Sequence, residues 1–184
     1  MDEKKTKSGP SGASGNSRDR AASLGTTVKT KIERGDRYSA PEIYNLEITV
    51  LEVVRGKEAW DRIRAEGTFQ DDFKAGFEPC LIRIKFGYFK KVRGFGHNKS
   101  PYEIPDDAFR ALSQDGETEY PIPSSPEQPR PRLSKTPFIS GDIKEGWILL
   151  QVPEGEERPL LTFKRDYREN AYGFWGPVWF QLWT

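Results

Sequence analysis

The residues able to do covalent chemistry are few. The chain of 184 residues holds one histidine, His97, and one cysteine, Cys80. Hydrolases of the Ser-His-Asp or Cys-His type need an imidazole beside the nucleophile. His97 falls in the glycine-rich stretch Arg93 to Pro101. Cys80 opens a strand pattern with its side chain on the apolar face, where a free cysteine acts as a small hydrophobe. A structural zinc site takes about four Cys or His ligands, so none fits within this chain. Gly94-Phe95-Gly96 lacks the third glycine and following helix of a dinucleotide site. Asp71, Asp72 and Glu78 share one connection and offer a Ca²⁺ reading at Asp71 and Asp72. The Asp-x-Asp-x-Asp-Gly ligand spacing is missing, however, which favours a solvated acidic loop. No carboxylate pair stands out for glycoside hydrolysis. The sequence therefore predicts no cofactor, no metal and no catalysis. A hydrolase using carboxylates such as Asp71 and Asp72 is the alternative, and a purely structural domain is a third.

The aromatic residues carry the one positive hint. Trp147, Trp175, Trp179 and Trp183 crowd the C-terminal part together with Tyr172 and Phe174. Large rigid rings stack on sugars or anchor proteins at little entropic cost. Core and edge cover is the favoured reading of the cluster as a whole. The segment Ala171 to Pro177 is the best candidate for a binding surface, because its glycines leave the rings in a loop. The candidate ligand-binding residues are Tyr172, Phe174, Trp175 and Trp179, and the expected partner is a protein or a glycan.

These residues must be positioned by strands. Cys80, Ile82, Ile84, Phe86 and Tyr88 alternate with Arg83 and Lys85, the period of a strand with one face on a core. Tyr44, Leu46, Ile48 and Val50 do the same, and then the phase slips, which predicts a bulge near Val50-Leu51. Residues 57–66 read as one short helix, with Trp60 and Ile63 on its apolar face, Trp60 as a lid on the core, and a Glu58–Arg62 pair. Gln114 to Glu117 signals a hairpin, with Thr118 to Ile122 returning. The six prolines between Pro121 and Pro137 predict an extended surface loop. Trp147 to Pro153, apolar on both faces, reads as an interior strand. Residues 1–37 form a disordered Ser/Gly/Lys-rich tether, in which Val28 and Ile32 either add a weak strand or stay loose. Residues 38–184 form the domain. With 29 basic and 28 acidic residues, nucleic acid is not an expected partner. No window has the ~18 apolar residues of a membrane span.

The order of these signals resembles a family. Val53-Val54-Arg55-Gly56 leads into Ala59-Trp60 and Ile63, then Gly76-Phe77-Glu78-Pro79 and the long strand. Asp115 to Tyr120, the Gly141-Asp142 turn and Glu145 to Pro153 follow. This is similar to the immunoglobulin-like domain of unknown function found in surface lipoproteins and secreted proteins of Gram-positive bacteria. The resemblance covers roughly residues 42 to 183. It implies an all-β, immunoglobulin-like β-sandwich outside the cell, serving as a binding or protein-interaction module. It also implies a lipidated cysteine upstream of Met1, so that membrane contact is only through a removed lipid anchor.

Overall fold

A computed structural model describes residues 14–34, 42–66, 73–90, 101–123, 128–164 and 176–184. A 3-10 turn at Arg18–Arg20 precedes β1 (Thr27–Arg34), β2 (Glu42–Arg55), α1 (Gly56–Ala65) and β3 (Phe77–Lys90). Then come β4 (Tyr102–Glu103), β5 (Phe109–Leu112), β6 (Pro137–Phe138), β7 (Asp142–Pro153), β8 (Leu160–Phe163) and β9 (Val178–Gln181). Sheet I has the order β1-β2-β3-β7 and sheet II the order β5-β8-β9, with a small β4-β6 ladder beside them. All of these ladders are antiparallel. Among the described residues the protein is all-β with one α-helix.

The alternation read from the sequence sets the core. Cys80, Ile82, Ile84, Phe86 and Tyr88 face inward with Tyr44, Leu46, Ile48 and Val50, and they meet Phe109, Leu161, Phe163, Val178 and Phe180 of sheet II in one cluster. Phe86 of sheet I and Phe163 of sheet II have ring centroids 5.9 Å apart, so the two sheets pack face to face as a sandwich. The bulge falls where the phase slips: Val50 pairs with Ile84 and Glu52 with Arg83, leaving Leu51 without a partner position. The extra residue turns Val54 to the outer face, where it packs with Ala59, Ile63, Leu81, Trp147 and Leu149 under α1.

Four expectations are corrected. Residues 14–26 are not the disordered tether expected, since Ala22 is fully buried, and of the two alternatives at Val28 and Ile32 the strand is what forms, β1 pairing with β2 along its whole length. Two apolar residues at i and i+4 suffice once an edge is there to receive them. Thr118 to Ile122 makes a bridge from Leu112 to Glu119 rather than a strand, because Pro121 and Pro123 cannot donate to a ladder. Trp147 to Pro153 is buried on both faces, but β7 ends the order of sheet I. Its second apolar face lies under α1, not under a further strand. The proline-rich stretch is not wholly superficial. Leu133 is 1% exposed, and Pro131 to Leu133 close onto the β7 edge, the Trp147 N–H donating to the Pro131 carbonyl and the Leu133 N–H to the Trp147 carbonyl. Gly146 permits that approach, since a Cβ there would sit 2.8 Å from the Leu133 nitrogen.

Candidate functional site: a groove beside the helix

Gly56, at φ +57°, turns the chain from β2 into α1, and Glu78 of β3 approaches where its Cβ would be. The helix is short, and its charges suit it. Glu58 stands in the first turn with Arg62 and Arg64 in the last, opposite in sign to the helix ends. Lys57–Asp61 at 2.6 Å and Glu58–Arg62 at 2.9 Å are i,i+4 pairs. Arg62 also reaches Glu52 at 3.0 Å and lies 5.3 Å from the Trp147 ring centroid. Ala59 and Ile63, not Trp60 and Ile63, are the buried pair. Trp60 instead stands at the side of the helix, half-buried. Its ring meets Phe73 edge-on at 4.9 Å and the Arg64 guanidinium at 5.3 Å.

Beside Trp60 lies an open groove of about 300 Å³, lined by Gly56, Lys57, Trp60, Asp61, Arg64, Glu78 and Glu154. That volume sits at the small end of ligand sites. Its wall is firm. Arg55 binds Glu78 at 2.7 Å and donates to the Glu156 carbonyl at 2.7 Å, while the Tyr120 hydroxyl donates to the Glu156 carboxylate at 2.7 Å. Burial first, and that hydrogen bond second, push the Tyr120 phenol up. The groove mixes two cations with three carboxylates around one aromatic edge.

Of the residues singled out in the sequence, Trp60 and Glu78 line this groove. Tyr172, Phe174 and Trp175 lie outside the described residues, as do Asp71, Asp72 and His97. Trp179 is half-buried on the outer face of sheet II against Ala21, Leu112 and Leu160. Its backbone is held on both sides, N–H to Gly15 and carbonyl from Ala22, so it serves there as edge cover. Cys80 is fully buried. Desolvation pushes its thiol up to about 12, against a smaller lowering by Arg55, which withholds the thiolate that nucleophilic chemistry needs. Among the described residues no group of three or more His, Cys, Asp or Glu is placed to hold a metal ion.

A second polar cluster closes the sandwich at the far end of β1, β2 and β3, and sequence reasoning missed it. Tyr44, Tyr88 and Tyr102 stack in series, with centroids 4.6 and 5.1 Å apart and planes within 10°. The Arg34 guanidinium donates to the Tyr88 hydroxyl at 3.0 Å and covers the Tyr44 and Tyr102 rings. Glu42, 3% exposed, accepts from Tyr44 at 2.5 Å and from Lys90 at 2.8 Å. The paired charges and tight stacking read as a cap on the core rather than an open site.

No family model matches the chain, and neither a curated protein nor a solved structure does.

Proposed function

We propose that this chain is a non-catalytic binding or protein-interaction module on a β-sandwich, carried outside the cytoplasm as the soluble part of a bacterial surface lipoprotein. The groove beside α1 carries the proposal. It is open, small and of mixed charge, with a half-buried tryptophan on its rim, the composition of a contact surface for a peptide or a cell-wall glycan. The location, and the likeness to immunoglobulin-like surface domains, rest on the order of motifs in the sequence. Titration with muropeptides, glycan fragments and cationic and anionic peptides, followed by tryptophan fluorescence and by chemical shifts of the Trp60 indole, tests the groove. Binding that Trp60→Ala weakens tenfold or more, with the fold intact, supports it. Binding lost with Trp175→Ala and kept with Trp60→Ala moves the surface to the Tyr172–Trp175 segment. Turnover of any probe by the folded protein overturns the non-catalytic reading.

A further inference from the structure

The first described stretch does not belong to the sheet it leads into. Residues 15–22 run along β9 at the end of sheet II. The Trp179 N–H donates to the Gly15 carbonyl at 2.8 Å, the Ala22 N–H to the Trp179 carbonyl at 2.9 Å, and the Gln181 N–H to the Ala22 carbonyl at 2.8 Å. Ala22 and Phe180 form a parallel bridge. Arg18 reaches the Asp115 carbonyl and, at 3.2 Å, the Glu117 carboxylate. A turn at Ser23–Thr26 then carries the chain across the seam to β1 in sheet I. The strap is held by backbone bonds, exposed charges and two alanines; no large apolar side chain lies between 14 and 22. A segment so anchored opens far more readily than the core. Opening it leaves β9 an unpaired edge, which another strand can fill.

We propose that the β9 edge is an exchange site, at which two copies of this chain swap residues 14–22 to form a two-fold dimer. The strap of a second copy meets the same β9 groups, the same Asp115–Glu117 turn and the same ledge of Leu112, Leu160 and Trp179, so the swap loses no contact but the hinge. That hinge is closed by a residue only glycine suits well. Gly25 has φ +80°, and its N–H donates to the Val50 carbonyl at 2.8 Å.

Gly25→Pro in the full chain tests this. Proline fixes φ near −65° and has no N–H, so it forbids the closed turn and accepts an extended hinge. Size-exclusion chromatography with light scattering is expected to show at least a tenfold higher dimer-to-monomer ratio than in the unsubstituted chain. A donor dye on Asp19→Cys in one copy and an acceptor on Gln114→Cys in another place the strap; buried Cys80 does not compete for label. Energy transfer within the dimer, growing as labelled copies are incubated together at high concentration, supports exchange. A Gly25→Pro chain that stays monomeric, or a dimer without transfer, overturns it. Should Gly25→Pro fail to fold, mixing the labelled chains with Gly25 retained decides alone: transfer supports the swap and its absence sinks it.

Discussion

Cys80 has no exposed surface and a thiol pushed up to about 12, so the folded protein presents no thiolate at neutral pH. Aromatic disulfide reagents are expected to label it only at the rate of global unfolding, with the rate rising in step with the unfolded fraction across a urea titration; fast labelling in water would place it at an open site. Glu42 makes the opposite case, a charge held in the interior because Tyr44 and Lys90 answer it. Replacing it with Gln keeps the shape but removes the charge that Lys90 and Tyr44 meet, so Glu42→Gln is expected to lower stability by about 1–3 kcal/mol in urea unfolding. Cys80 could be read in advance, since its position in an alternating run gave its face. Glu42 could not, because its partner Lys90 lies 48 residues away and nothing local marks a glutamate at the head of a strand as buried.

Elements were legible where their cause was local. The slip in apolar phase at Val50-Leu51 located the bulge, and the Trp60/Ile63 spacing with the Glu58–Arg62 pair located α1. What stayed hidden was the outer face of sheet I. The pattern of Trp147 to Pro153 records only that both faces are buried, and a helix covers one of them as well as a sheet does. That mistake also concealed the groove, because a helix lying on a sheet creates a rim that a buried strand would not. Two substitutions test the arrangement. Ile63→Ala removes the residue that seats α1 and is expected to cost about 2–5 kcal/mol, with loss of the groove resonances. Gly146→Ala places a methyl against the backbone of Arg132 and Leu133, which is not a flexible obstacle. It is expected to cost about 1–3 kcal/mol and to speed hydrogen exchange at the Leu133 and Trp147 amides specifically. Unchanged protection at those two amides would mean that the proline-rich stretch does not seal the β7 edge.

Across the whole molecule the buried acids point one way. Burial raises the phenols of Tyr44, Tyr88 and Tyr120 above the ordinary value of 10.0, opposed at Tyr88 by the hydrogen bond from Arg34 and reinforced at Tyr44 and Tyr120 by glutamate acceptors. The Cys80 thiol moves from 9.0 to about 12. A group whose folded pKa exceeds its unfolded one holds its proton longer in the folded state. Below pH ~8 both states keep these protons and the stabilisation is complete. Above it the unfolded chain releases them first, and stability falls as pH climbs toward the folded values. The midpoint of thermal unfolding is therefore expected to hold steady from pH 7 to about 8, to begin falling through about 9 as the unfolded thiol ionises, and to drop steeply beyond 10 as the phenols follow. Phenolate absorbance separates this from general alkaline damage. Of the seven tyrosines, three should ionise only together with loss of the near-ultraviolet dichroism, and Tyr44→Phe should make the fall in midpoint shallower. The three lie at the two ends of the sandwich, Tyr44 and Tyr88 under Arg34 and Tyr120 against Glu156, so a single cooperative step would show that both ends melt with the core. Early ionisation of any of the three in a still-folded protein would show that its end of the sandwich opens separately.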